Sequence, residues 1–72
     1  MADIKYDIVE RIAVLSEKSG WTKELNKVSW NGREPKYDIR EWNHESGKMG
    51  KGATLTEDEL KELKNALDGL GL

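Results

Sequence analysis

Apolar and polar residues alternate along the first two thirds of the chain, a pattern typical of β-strands. Between residues 4 and 16 apolar side chains fall on both faces, and many of them are β-branched. This composition favours a long strand, with room for a bulge, over a helix. A helix over residues 4 to 15 is the alternative. Residues 17 to 20 then form a turn in which Gly20 is free to adopt positive φ.

Three more strands are predicted after that turn. The second covers residues 21 to 30 and ends at Asn31-Gly32, the strongest hairpin signal in the chain, because a type I′ turn requires positive φ at both central residues. The third covers residues 36 to 43 and follows Pro35, whose missing N–H is tolerated at a strand start. The fourth, residues 48 to 55, contains Gly50 and Gly52, follows Gly47, and returns the chain along the sheet.

The C-terminal segment predicts an amphipathic helix. Thr56 and Glu59 match a capping box, and Leu55 and Leu60 are spaced as a hydrophobic staple. Apolar residues then recur on one helical face, and we expect this leucine stripe to be core; its members are Leu60, Leu63, Ala66, Leu67 and Leu70. Gly69 or Gly71 ends the helix.

Together these elements predict one α+β domain over residues 1 to 72. It consists of a four-stranded, curved antiparallel sheet followed by one C-terminal helix, in the order ββββα. Such a sheet buries one face under the helix and leaves the other face open, where a ligand would lie.

Chain length and composition limit how this domain is stabilised. A chain of 72 residues has a core worth only about 3–5 kcal/mol, and the absence of cysteine excludes disulfides. With His44 as the single histidine, a structural zinc site is not expected. Self-association as a homodimer is the remaining means of enlarging the core. The sequence has no bilayer-length apolar run and no signal-peptide pattern, which predicts a cytoplasmic protein.

The charge is unevenly distributed. The net charge is −2. Residues 20 to 54, however, carry seven basic and five acidic groups, whereas residues 55 to 72 carry two basic and five acidic groups. The middle of the chain is therefore mildly basic, and the local field, rather than the total charge, attracts a phosphate backbone.

All three tryptophans lie in this basic segment, interleaved with cations. Aromatic rings on a sheet stack unpaired bases for about 1–3 kcal/mol each, while cations neutralise phosphates. We therefore expect a largely sequence-independent single-stranded DNA site, with RNA as a further ligand, and no cofactor. The candidate residues are Trp21, Lys23, Lys27, Trp30, Lys36, Arg40, Trp42, Lys48 and Lys51.

Other interpretations of the same residues stay open. For each tryptophan the alternative is a core or dimer-interface position, and a single lysine is usually a solvated surface charge. A protein-interaction module that uses the exposed sheet is the main alternative function, and double-stranded RNA binding is a weaker one. An enzyme is not expected, because the chain lacks a nucleophile–base arrangement and a phosphate-binding glycine motif.

Several motifs occur together in a fixed order. They are Tyr-Asp-Ile-Arg-Glu-Trp at residues 37 to 42, Gly-Lys-Met at residues 47 to 49, and Lys-Gly-Ala-Thr-Leu-Thr at residues 51 to 56. In this order the chain resembles the C-terminal domain of positive cofactor four, a family of transcriptional coactivators that bind single-stranded DNA. It is most similar to the short bacterial members of the YdbC type, over nearly the whole chain.

The resemblance implies a homodimer whose two curved sheets form continuous channels for single strands, with transcription machinery as a further partner. Trp30 falls on a stacking aromatic of the family, Arg40 on the arginine of its central motif, and Lys51 on a lysine of the lead-in to the helix. Lys36 lies close to another basic position. Asn43 stands where eukaryotic members have a second aromatic residue, and their basic, serine-rich tail is absent, so a coactivator role is not implied.

Overall fold

The strands and the helix follow the predicted order. A computed structural model describes residues 5–72. It contains β1 (Tyr6–Lys18), β2 (Trp21–Trp30), β3 (Lys36–Asn43), β4 (Lys48–Leu55) and α1 (Glu57–Gly69). The strands form one antiparallel sheet in the order β1-β2-β3-β4. The ββββα prediction is confirmed, and the helical alternative for the first segment is wrong over residues 6 to 15; residue 4, its predicted start, lies outside the described residues.

Both hairpin turns between the first three strands use left-handed backbone conformations. Asn31 and Gly32 have φ values of 53° and 74°, as the predicted type I′ turn requires. The turn between β1 and β2 shows the same pair of signs, with φ of 52° at Ser19 and 83° at Gly20. Positive φ at Gly20 was predicted, whereas Ser19 carries no sequence signal for this conformation.

The sheet curves strongly toward one side. β1 shifts register against β2 three times, at Ile8/Glu10, Arg11/Ala13 and Val14/Ser16, and such bulges bend a strand and increase its twist. Trp42 lies opposite Thr22, near the start of β2, whereas Trp30 ends β2, yet the two indole rings are 6.4 Å apart. We call the side on which these rings meet, formed by the even-numbered residues of β2 and β3, the concave face.

The concave face holds the core of the protomer. Among the described residues only Val28 and Trp42 are fully buried apolar side chains, and Glu24, Asn26 and Asp38 are the buried polar ones. All five lie on the concave face by strand alternation. A core of this composition is small even for a 72-residue chain.

The prediction that the leucine stripe of the helix is core is wrong for the single protomer. No residue of α1 is buried, and Leu67 and Leu70 are 43% and 69% exposed. The physical reason is that one helix of 13 residues covers only part of the opposite sheet face. Its leucines border an open channel, which we call the helix groove, lined by Leu25, Tyr37, Leu60, Leu63 and Leu67 together with charged residues of α1.

The start of the helix is formed as predicted. The Thr56 hydroxyl accepts a hydrogen bond of 3.1 Å from the Glu59 backbone N–H, and the Glu59 carboxylate accepts one of 2.8 Å from the Thr56 N–H. This reciprocal capping box fixes where α1 leaves the sheet. None of the helices described in residues 5–72 is both long enough and apolar enough to cross a membrane.

Candidate nucleic-acid interface

The concave face brings together four of the nine predicted site residues. Strand alternation and the β2–β3 register place Trp30, Lys36, Arg40 and Trp42 on it. Lys36 is exposed and Trp30 is half-buried at the end of β2, so both lie at the rim. Trp42 is 1% exposed and lies inside. This face therefore has an aromatic interior and a rim with one aromatic ring and one ammonium group.

Four aromatic rings form a row across the concave face. Trp30 and Trp42 are nearly parallel, at 11° and 6.4 Å between centroids, and Trp42 and His44 are closer to parallel, at 6° and 6.0 Å. Tyr6 packs against both tryptophans, with centroid distances of 5.9 and 5.1 Å. These distances fall within the range of offset-stacked and tilted aromatic pairs. Stacking of a base on Trp42 stays a prediction, and it would require Tyr6 or His44 to move.

The Arg40 guanidinium is held by a buried carboxylate. Its Nε and Nη2 donate to the two oxygens of Asp38 at 2.7 and 2.8 Å, and its plane lies over the Trp30 ring, 4.5 Å from the centroid. Asp38 is fully buried and the Arg40 side chain is 14% exposed. Bidentate pairs of this kind are strong and directional. Arg40 therefore fixes the position of the Trp30 ring, and much of its charge is balanced within the protein.

Gly52 makes room for this arginine. A Cβ atom at Gly52 would overlap the Cβ of Arg40 and the carbonyl oxygen of Ile39 on the neighbouring strand. The Arg40 Nη1 also lies 3.4 Å from the Gly50 carbonyl oxygen of β4. Gly52, one of the two glycines that weaken β4 as a strand signal, thus permits a close approach between β3 and β4.

A second buried carboxylate lies on the same face. Glu24 accepts hydrogen bonds from the Thr22 hydroxyl and from Asn26 Nδ2 at 2.9 Å, and His44 Nε2 lies 2.8 Å from its Oε2. Burial raises the pKa of Glu24, but the hydrogen bonds from Thr22, Asn26 and His44 and the charge of His44 outweigh burial, so this pKa lies below its ordinary value. The carboxylate is ionised at neutral pH.

Some hydrogen-bonding capacity on the concave face is unused. Asn26 Oδ1, Trp30 Nε1 and Trp42 Nε1 are buried and have no hydrogen-bond partner within residues 5–72. The Asn26 amide is oriented by its contact with Glu24, because only its NH₂ group can donate to a carboxylate. A buried polar atom without a partner destabilises the fold by about 1–3 kcal/mol. The interior of this face is therefore less stable than a fully satisfied core would be.

Burial makes the surface of the middle segment more basic than its composition. Residues 20 to 54 contain five acidic groups, of which Glu24 and Asp38 are buried, and seven basic groups, of which Arg40 is paired with Asp38. Three carboxylates and six cations remain exposed or half-exposed in this segment. The exposed groups of this segment therefore carry +3, while the buried, ionised Glu24 keeps the net charge of the segment at +2.

The other predicted site residues do not join the concave face. Lys23 and Lys27 alternate onto the side of the helix groove, where Lys27 Nζ lies 5.5 Å from the centre of the Tyr37 ring. Trp21 has the same parity and is half-buried at the start of β2. Lys48 and Lys51 are exposed on β4. The nine residues thus divide between two faces and one edge of the sheet.

His44 belongs to the aromatic row, although it is not among the nine site residues predicted from the sequence. It follows β3 directly, has the same parity as Trp42, and its side chain is 40% exposed. The parity that His44 shares with Trp42 follows from the sequence. Its contact with the buried Glu24 does not, because that contact depends on the β2–β3 register, which a single sequence does not give.

Known proteins are similar to this chain over most of its length. The family described as Transcriptional Coactivator p15 (PC4) matches residues 17–66. An uncharacterized protein of Treponema pallidum (strain Nichols) is 44% identical over 71 residues, which are 97% of this chain and 84% of that protein. The segment of this chain that the family matches contains all nine predicted site residues.

Proposed function

Because the chain belongs to the transcriptional coactivator p15 (PC4) family, whose members are non-enzymatic DNA-binding proteins, we propose that it is a homodimeric, largely sequence-independent single-stranded DNA-binding protein. It would act in the cytoplasm as an accessory factor in transcription, replication or repair. The observation that carries this proposal is the half-buried Trp30 at the rim of the concave face, with the exposed Lys36 on the same face opposite Val28. A stacking ring next to a cation is the arrangement that single strands require.

The exposed cations supply the contacts to phosphates. Lys36 lies on the same face as Trp30, opposite Val28, and Lys48 and Lys51 are exposed on β4. Lys23 and Lys27 lie on the opposite side of the protomer, so they reach the same strand of DNA only at its edge or through a second protomer. Stacking is tolerant of base identity, so the protein is expected to bind with weak sequence preference and strong salt dependence.

The small core supports the homodimer. Only two apolar side chains are fully buried within residues 5–72, while large apolar side chains remain exposed on β1, on α1 and in the residues that follow α1. The exposed residues are Val9, Ile12, Val14, Leu15, Leu67, Leu70 and Leu72. A soluble domain of this size requires a further source of burial, and a second copy covering the helix groove and β1 would supply it.

We expect sedimentation at micromolar concentration to give twice the mass of one chain. Replacing Leu67 with glutamate places a charge in the helix groove and should shift the protein to a monomer or to unfolded chains. Asn65→Glu is the matched control, since it puts the same charge on the same helix outside the groove lining. A wild-type monomer, or a dimer unaffected by Leu67→Glu, would contradict this assignment of the groove.

The second candidate function is a protein-interaction module. The sequence predicted the exposed sheet face as its binding surface, whereas in the fold the apolar helix groove is the surface that favours it. A protein partner with an amphipathic helix would find Leu25, Leu60 and Leu63 bordered by Lys61 and Lys64. The two candidates predict different ligands, DNA for the concave rim and an apolar chain for the groove. A stable monomer that ignores DNA would favour the protein partner.

Titration with labelled oligothymidine at two salt concentrations, followed by tryptophan fluorescence, tests the proposed function. Quenching that weakens at higher salt is expected. Trp30→Ala should weaken binding about 5- to 150-fold, the equivalent of about 1–3 kcal/mol per stacked base. Lys36→Ala should lower the salt slope by about 0.7, the value for one phosphate contact on a single strand.

Lys64→Ala removes an exposed lysine of α1 that borders the helix groove; once sedimentation shows that this variant keeps the wild-type mass, it is the matched control and should leave the salt slope unchanged. Absence of any fluorescence change with folded protein at micromolar concentration, or equal slopes for Lys36→Ala and wild type, would count against the proposal.

A further inference from the structure

We propose that His44 contacts the bound single strand, stacking an unpaired base on its exposed ring surface, and that the buried Glu24 is the residue that positions it. This inference rests on the function proposed above and extends its site to a residue outside the nine predicted from sequence.

The geometry of the aromatic row carries the first step. Trp30, Trp42 and His44 have almost parallel rings, and Trp42 between them is 1% exposed. The His44 side chain is 40% exposed, so it is the accessible end of the row on the side away from Trp30. A base that stacks on His44 would continue the row without displacing a buried ring.

The contact with Glu24 carries the second step. Glu24 is 2% exposed, and its Oε2 lies 2.8 Å from His44 Nε2. A carboxylate held in place by Thr22 and Asn26 fixes the plane of the imidazole ring before any ligand binds. Such prior ordering reduces the entropy lost when a base stacks.

The test measures the oligothymidine affinity of five proteins, with circular dichroism to check folding. His44→Ala should bind about five- to tenfold more weakly than wild type, at the lower end of the range for base stacking. His44→Phe should recover most of the affinity, because it keeps a ring on which a base can stack.

Ser46→Ala is the matched control, since it lies in the same turn, is exposed, and makes only a backbone contact with Asn43. Glu24→Gln, if folded, should weaken binding without abolishing it, because the ring loses its fixed orientation. Affinity of His44→Ala equal to wild type would overturn the inference while leaving the proposed function in place. If His44→Ala fails to fold, NMR signals of the wild-type His44 ring that do not shift at saturating oligothymidine overturn it. Absence of wild-type binding removes the proposed function and the inference with it.

Discussion

Replacing Trp42 with alanine is expected to unfold the protein. Its ring is 1% exposed and packs against Tyr6, Trp30 and His44. Removing a buried tryptophan destabilises a protein by about 3–5 kcal/mol, which equals the whole stability expected of a core this small. Urea denaturation followed by circular dichroism should show no cooperative transition, or one near zero denaturant.

Trp21→Ala is the matched control for this experiment. Trp21 is half-buried at the start of β2, and its parity places it on the opposite face. We expect its loss to lower the transition midpoint by much less than that of Trp42. A Trp42→Ala protein that unfolds at the wild-type midpoint would show that the concave interior is not the core.

Replacing Asp38 with alanine is expected to produce the second large effect. Asp38 is fully buried and accepts two hydrogen bonds from Arg40 and one of 3.3 Å from the Thr54 hydroxyl. Removing one partner of a buried ion pair leaves the other charge without compensation, at about 3–5 kcal/mol. Because 14% of the Arg40 side chain stays exposed to solvent, we expect Asp38→Ala to lower the free energy of unfolding by about 3 kcal/mol. The free energy of unfolding from urea titration measures it.

Two further variants separate the ion pair from general packing. Asp38→Asn keeps an acceptor of the same shape and removes the charge, so it should be less harmful than Asp38→Ala. The double variant Asp38→Ala/Arg40→Ala should be less destabilised than the sum of the two single variants, since the unpaired charge is gone. Additive effects would mean that the pair observed between Asp38 and Arg40 contributes no coupling.

Local signals in the sequence were sufficient for the elements of the fold. Asn31-Gly32 and Gly20 carry the conformational requirement of their turns, and Thr56 with Glu59 carries the requirement of the helix start. Each signal depends on residues close together in sequence. For this reason the bounds of β2, β3 and β4 agree with the predicted segments.

The location of the core could not be predicted in the same way. The alternation of Lys36, Asp38, Arg40 and Trp42 is the pattern of a solvated strand face, yet Asp38 and Trp42 are buried. The cause is the curvature of the whole sheet, which depends on bulges in β1 and on pairing between distant segments. Sequence alone therefore placed the core under the leucines of α1, where the protomer leaves it open.

Only the part of the candidate site that lies on a single strand could be predicted from the sequence. The parity of Lys36, Arg40 and Trp42 was derived correctly, because alternation within one strand is a local property. Whether Lys23 and Lys27 join them depends on which face each strand turns to the helix. The role of His44 depends on the approach of Glu24 across two strands.

Mapping by NMR distinguishes the rim of the concave face from the helix groove as the surface that binds a single strand. Titrating the isotope-labelled protein with oligothymidine should shift the indole N–H signal of Trp30 and the backbone signals of Lys36 and of residues 44 to 48, while Leu63 and Leu67 in the helix groove change little. Shifts confined to the helix groove, or no shifts at saturating oligothymidine, would contradict binding at the rim.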